Sequence, residues 1–381
     1  MPAERMLPTA EDKQLVALTR DIVAAELAPV ASEYEAESRF PREKFRLLGK
    51  SGLLGLPYPE RWGGSGVSYE VYLQVLEEIA AAWMTVAVGM SVHTLSCFPL
   101  AYYGTDEQRD EWLPGLLAGD LLGAYALSEP DAGSDAAALS ARAVRDGDEY
   151  VVDGQKVFTT GAHAADYVWL ACRTAPSRHK GITILIADTR DPGFSWTPII
   201  THDGAHHVNA TYYSGVRVPA RMRVGGENEG WRLITSQLNH ERVMLGPAGR
   251  IAALHDWVRA WAADHALLAE PDVRRALAQT AAVMRVNELL SWQIASAPAL
   301  DVADASAVKV FSSEQLQVLG PALAELVGRH GDPADPDTAA LVTWLDIQLK
   351  RNTVLTFGGG VNEIQRELIA TAGLALPRSP R

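Results

Sequence analysis

Residues 125–135 read YALSEPDAGSD. An apolar run stops at Leu127 and gives way to Ser128, to Glu129-Pro130 and to Asp131-Ala-Gly-Ser-Asp135, a polar and conformationally restricted loop. Backbone N–H groups and hydroxyls in such a loop suit an anionic or polar heteroaromatic ligand. Turn chemistry by itself offers another reading, a solvated hairpin loop, and on these residues alone that plainer reading stands ahead.

The stretch also marks a change of texture. Before it the chain is helical: Leu15, Leu18, Ile22 and Val23 recur at helical spacing, and Pro29 and Pro41 punctuate residues 11–56. LPYPERWGGSG (56–66) is a turn-rich loop, after which SYEVYLQVLEEIAAAW (68–83) and the apolar run 84–101 predict two more helices. Thr105, followed by acids, is placed to cap another within 103–120. After it come EYVVDGQKVFTT, DYVWLACRT, GITILIADT, FSWTPII and NATYYSGVRVP, short β-rich runs separated by Gly, Pro and Asp. These predict an antiparallel β domain. From GENEGWRLI (226 onward) helical texture returns, with RHGDPADPDT (329–338) as its long loop. The expectation is an α+β chain of segregated blocks: an N-terminal helical domain (1–121), a middle antiparallel β domain (122–225) and a C-terminal helical bundle (226–381).

Of the 381 residues 48% are hydrophobic, enough for a large core, and the formal net charge is −13. That charge argues against nucleic acid or an anionic membrane as the main partner, though not against an anionic ligand held by local donors. Cys97 and Cys172 are far apart and in no metal spacing, which predicts two packed, reduced thiols and a cytoplasmic setting. The first residues carry acids beside bases and no apolar core segment, and no run of 18 uncharged apolar residues occurs. Neither a targeting peptide nor a membrane span is expected.

Six stretches, in order and at the right approximate spacing, resemble the FAD-dependent acyl-CoA dehydrogenase family: GLPYPERWGG, YGTDEQRDEWLP, YALSEPDAGSDAAAL, GDEYVVDGQKVF, NATYYSGVRVP and GGENEGW. The resemblance covers essentially the whole chain, is close over 50–245, thin over 262–350, and returns at 357–371. It implies FAD as cofactor. Ala126, Leu127 and Ser128 match the strand end that contacts the flavin ring, and Ser134 the serine that contacts cofactor or CoA phosphate. Phe158, Thr159 and Thr160 fall where the family has Trp-Ile-Thr against the other flavin face. Phenylalanine keeps an aromatic wall there but lacks the indole donor. Val361 and Glu363 fall where the tail of the motif meets FAD. The implied reaction removes the α-proton of an acyl-CoA thioester to a carboxylate and its β-hydride to the flavin. An electron-transfer flavoprotein is the implied acceptor, and a tetramer the implied assembly. Because an α-C–H is a very weak acid, the base must be positioned and desolvated, and the enolate oxygen needs donors already aimed at it.

Most of the family carries that base just before the final helix. Anchored on EIQR (363–366), the position falls on Gly359, within VLTFGGGVNE, and glycine has no carboxylate. GWRLITSQLNHERVMLG (230–246) offers another source. Ile234, Leu238, Leu245 and Ala252 recur at spacings of four and seven, and Glu241 falls on the same stripe between Leu238 and Leu245. Burial of a carboxylate costs free energy unless it is paired or neutralised, and raises its pKa toward the range a base needs. On the residues alone a structural ion pair, with Arg242 or another arginine, stands ahead. The resemblance reverses this, because the isovaleryl-CoA and long-chain branches carry their glutamate on this earlier helix, directly before an arginine, with a small residue at the later position. Glu241 is then the implied base, Arg242 a pocket-shaping residue, and the Gly359 N–H a donor to the thioester carbonyl.

His202, His206 and His207 have no carboxylate or cysteine set at ligand spacing, so no metal is expected. FGGGVNE lacks the spacing and context of a nucleotide fingerprint. The family's Arg-x-x-Phe-Gly and Gln-x-x-Gly-Gly segments, which reach FAD across subunits, have no counterpart in 262–290 or 325–341. That departure opens a heterotetramer with a sister subunit beside a homotetramer. It also opens two rival roles, a non-catalytic partner subunit and a fold relative with oxidase or monooxygenase chemistry.

Overall fold

A computed structural model describes residues 7, 9–244, 248–297 and 301–377, with only the backbone of 238–244. Along the chain the order is helical, then strand-rich, then helical. Packing groups these elements into two compact units that do not follow chain order: residues 30–68 and 88–241 form one, and the segments up to 29, 69–87 and from 242 onward form the other.

The first unit is built on an eight-stranded sheet: β1 (Gly123–Ala126), β2 (Arg142–Asp146), β3 (Glu149–Thr160), β4 (Tyr167–Arg173), β5 (Ile182–Asp188), β6 (Phe194–Ile200), β7 (His206–Pro219) and β8 (Arg223–Val224). The strand order is β6-β7-β3-β2-β4-β5-β8, with β1 added to β4. The expected antiparallel pairing holds except at β1, which runs parallel to β4, and at a single parallel β2/β4 pair. β4 and β5 are buried almost throughout, as strands covered on both faces must be. Their side chains share one core with Cys97, Leu100, Trp112, Leu113 and Leu116.

β1 starts where it does because polar groups fix both of its neighbours. Asp166, just before β4, accepts from the Leu122 N–H (2.8 Å) and from Arg42 Nη2 (2.6 Å). Arg42 also donates to the Ala164 carbonyl at 2.7 Å. His93 closes the other side: its Nε2 bonds the Leu116 carbonyl (2.8 Å) and its Nδ1 accepts from the Gly123 N–H (3.3 Å). Burial pushes His93 down to about 4, so the ring is neutral and able to play both parts.

The helical unit contains α1 (Ala10–Ile22), α4 (Tyr69–Ala82), α8 (Gly249–Asp264), α9 (Pro271–Ala295), α10 (Val302–His330), α11 (Pro336–Asn352) and α12 (Asn362–Leu368). The remaining helices are α2 (Ala28–Ala36), α3 (Arg42–Lys50), α5 (Met84–Tyr103), α6 (Asp106–Leu117) and α7 (Gly230–Met244). Its core joins Ile251, Leu254 and Val258 of α8 to Val273, Leu316, Leu319, Leu323 and Leu345. α10 and α11 start on Asp301 and Asp335, whose carboxylates accept from first-turn N–H groups.

Two expectations change. The 329–338 loop shrinks to 331–335, because α10 runs to His330 and α11 starts on Pro336, at a position where proline is well suited to opening a helix. The stripe drawn from Ile234 to Ala252 spans two helices: α7 ends at Met244, α8 begins at Gly249, and Gly246-Pro247 lies between. α5, at 20 residues with a mean hydropathy of 1.4, is long and apolar enough to cross a membrane, but 67% of its most apolar stretch is buried, as in a core helix.

Thr105 caps α6 as expected, in a reciprocal capping box with Gln108. Gln108 does more, since its Nε2 donates to the carbonyls of Arg221 (2.6 Å) and Arg223 (2.8 Å). Thr105→Ala should therefore destabilise by about 1 kcal/mol, and Gln108→Ala by roughly 2–3 kcal/mol because it also strips two carbonyls of their donor. Urea unfolding of the two variants measures the difference.

Candidate active site

The residues picked out in YALSEPDAGSD and GQKVFTT meet in the sheet unit. Ala126 ends β1 and is fully buried, while Leu127 and Ser128 are half-buried. The Val157 N–H of β3 donates to the Ser128 carbonyl at 2.9 Å. Ser134 is exposed on the following loop, apart from this contact.

β3 changes parity on its way to this point. Tyr150, Val152 and Lys156 face inward, and simple alternation would bury Phe158 too. Between the pairs Lys156–Thr211 and Thr159–Asn209, however, β3 carries one residue more than β7. This bulge leaves Thr159 buried at 1% exposure and turns Phe158 outward at 62% exposure. An opposite bulge on β7, between the Val152 and Asp153 pairs, uses Gly215 in the left-handed region and so restores the register.

Two buried groups that the sequence reading passed over tie this corner together. Lys156 Nζ donates to the Leu127 carbonyl and to Glu129 Oε1, both at 2.9 Å. Glu129 also accepts from Ser140 N and Oγ (both 2.7 Å) and from Ala141 N (2.9 Å). Burial alone would raise the Glu129 carboxyl, but the ammonium and these donors outweigh it and hold the group below its ordinary value. Burial pushes Lys156 down, and Glu129 opposes that shift. The inward parity of Lys156 was a usable signal: a lysine on the apolar register of a strand needs a buried partner.

On the other side Asn209 Nδ2 donates to the Thr159 carbonyl and to His163 Nδ1, both at 3.1 Å, while its Oδ1 bonds His206 Nε2 at 2.8 Å. His206 and His207 are strand residues of β7, and the His206 ring lies against His163, tilted, at 4.3 Å between ring centres.

In the helical unit the glycine run follows a short turn at Thr353–Thr356 and precedes α12. Gly359 (φ 66°) and Gly360 (φ 101°) both need a left-handed backbone, and a Cβ on Gly360 would lie 2.4 Å from Gln365 Nε2. Lys309 of α10, also missed from sequence, donates to the Gly360 carbonyl (2.6 Å) and to Asn362 Oδ1 (2.7 Å). Among the described residues the Gly359 N–H donates to no backbone carbonyl, and neither amide atom of the buried Gln365 has a partner. Val361 caps α12 by position and Glu363 is exposed in its first turn. Glu241 and Arg242 lie within α7 by backbone, and their side chains are outside the described residues.

Residues 9–120, 124–216 and 228–374 match, in turn, the N-terminal, middle and C-terminal domains of acyl-CoA dehydrogenases. The chain belongs to the acyl-CoA dehydrogenase family. It is 49% identical to the acyl-CoA dehydrogenase FadE29 of Mycobacterium tuberculosis over 98% of this chain and 99% of that one. Among solved structures, the Tcur3481-Tcur3483 steroid ACAD is 41% identical with a TM-score of 0.86, covering 98% of this chain and 99% of that one. The ChsE4-ChsE5 complex of Mycobacterium tuberculosis is 39% identical with a TM-score of 0.87, covering 99% and 100%.

Acyl-CoA dehydrogenases are FAD-dependent oxidoreductases. The residues present fit a flavin. In the sheet unit the bulge presents an aromatic ring to solvent beside a strand end that offers backbone amides and the Ser128 hydroxyl.

Lys156→Met alone should destabilise by about 3–5 kcal/mol, because it strands a buried carboxylate. Adding Glu129→Gln should recover much of that loss, a coupling that thermal or urea unfolding of the two single variants and the double variant would read. Burial, then His206 and His207, push His163 from 6.5 down to about 4. The unfolded chain therefore binds this proton in that window while the folded chain does not, and stability should fall as pH drops from 6.5 toward 4. His93 shifts the same way, so His163→Gln should flatten the melting-temperature profile over that window without levelling it.

Proposed function

We propose that the protein catalyses α,β-dehydrogenation of an acyl-CoA thioester to the trans-2-enoyl thioester, with Glu241 as the base. The observation that carries this reading is the glycine at 359, which gives the turn before α12 a backbone donor where most relatives place their carboxylate. FAD, when bound, accepts the β-hydride. Glu241, on α7, takes the α-proton, and the Gly359 N–H donates to the thioester carbonyl, whose oxygen gains charge as that proton leaves. The Phe158 ring, with the main chain of Thr159 and Thr160, would form one wall for the cofactor. Ala126, Leu127 and Ser128 would form its polar edge, and Val361 and Glu363 would meet it from the turn before α12. Ser134 serves a phosphate of cofactor or CoA, and Arg242 shapes the acyl pocket.

We further propose a steroid-derived acyl group and a heterotetramer with a sister subunit; the similarity to a two-protein steroid ACAD and to the ChsE4-ChsE5 complex supports this reading. An electron-transfer flavoprotein is the proposed acceptor and the cytoplasm the proposed setting. The lack of the family's inter-subunit FAD segments in 262–290 and 325–341 favours a second reading, a chain that completes a sister's site. Flavin content of the protein purified alone and with its sister separates the two.

Glu241→Gln should keep its FAD and lose flavin bleaching by acyl-CoA by about 10²–10⁴-fold, scored by stopped-flow absorbance over a panel of straight, branched and steroid-side-chain thioesters. Full activity in that variant would remove Glu241 from the mechanism.

A further inference from the structure

Phe158 has a positive φ of 58° within β3, two residues before the strand's end. A Cβ in that region crowds the backbone carbonyl, so phenylalanine persists there only where its surroundings over-determine it. Packing of its own ring does not supply the compensation, because the ring is 62% exposed. The residues on both sides are instead immobilised by fully buried side chains. Upstream, Lys156 bonds the Leu127 carbonyl and Glu129, and the Val157 N–H bonds Ser128. Downstream, Asn209 holds the Thr159 carbonyl, and its own amide is fixed by His163 and His206. One extra residue must be accommodated between these two anchors.

We propose that Lys156 and Asn209 are positioning residues that clamp the bulge and force Phe158 into the left-handed conformation, so that its ring stands out from the sheet before any ligand arrives. This rests on the reading that Phe158 is a wall of the flavin site. The strain is a property of the protein alone, and flavin stacking on an already presented ring is its functional return. Neither clamp touches the cofactor in this scheme, and each acts through the backbone on either side of residue 158.

The test compares Phe158→Gly with Phe158→Ala in the full-length FAD-loaded protein. Both lack the ring, and only glycine is free of strain at this φ. In the otherwise native chain Phe158→Gly should melt above Phe158→Ala by roughly 1–3 °C. With Asn209→Ala, or with the paired Glu129→Gln/Lys156→Met that removes the ammonium without stranding its carboxylate, the gap should close or reverse. Closure in either background supports the clamp, and the same gap in both overturns it.

FAD affinity is the second readout. Native Phe158 should bind FAD roughly 2–10-fold more tightly than Phe158→Ala, and that advantage should vanish once a clamp is lost. If Phe158→Ala binds FAD as well as the native chain, the flavin-wall reading fails, while the glycine–alanine gap still decides the clamp. Equal loss of FAD affinity on removing a clamp, with or without the ring, assigns Lys156 and Asn209 a purely structural role and overturns the proposal.

Discussion

The buried contact between Lys156 and Glu129 is the constraint on which the sheet unit's working corner depends. Three chain segments distant in sequence converge on it: the end of β1 through the Leu127 carbonyl, the entry to β2 through Ser140 and Ala141, and β3 through Lys156 itself. A buried ion pair is not in general a source of net stability, since desolvation cancels most of the attraction. What it supplies is exclusivity. With four donors converging on one carboxylate, no shifted register of β3 keeps all of them satisfied, so the loop from 127 to 141 has one arrangement relative to the bulge.

The helical unit repeats the device in another form. There the buried ammonium is Lys309, the carbonyl it holds belongs to Gly360, and Asn362 takes the second donor. In each unit a lysine that belongs to no reactive group fixes a short backbone segment carrying residues assigned to the site. Rigid support beneath flexible-looking glycine and proline-rich sequence is what lets loops serve as precise binding edges.

Much of the block order could be read from sequence because local signals there agree with the tertiary outcome. Thr105 caps its helix through a residue three positions away, and the β-rich runs of the middle region, set off by Gly, Pro and Asp, are strands. The misses share another cause. The parallel placing of β1, the bulge that turns Phe158 outward, and the roles of Lys156, Asn209 and Lys309 are set by partners 27 to 55 positions away in the chain. No periodicity within a window reports such pairings, and an apolar aromatic after an inward lysine reads as core until the extra residue is counted. The glycine run shows the reverse case. Its absent side chain was visible at once, whereas the left-handed backbone that exploits it was not.

That backbone has a bearing on how the site could change over generations. At φ 66° and 101° the pair Gly359-Gly360 sits where side-chain-bearing residues are disfavoured, and Gln365 already fills the space a side chain on Gly360 would enter. A single codon change that returned a carboxylate to 359 would meet a conformational barrier before it met any chemistry. The turn would first have to be rebuilt around Lys309, which holds the Gly360 carbonyl. Under the proposed assignment of the base to Glu241, the left-handed backbone at 359 holds the carboxylate away from this turn as firmly as the chemistry does.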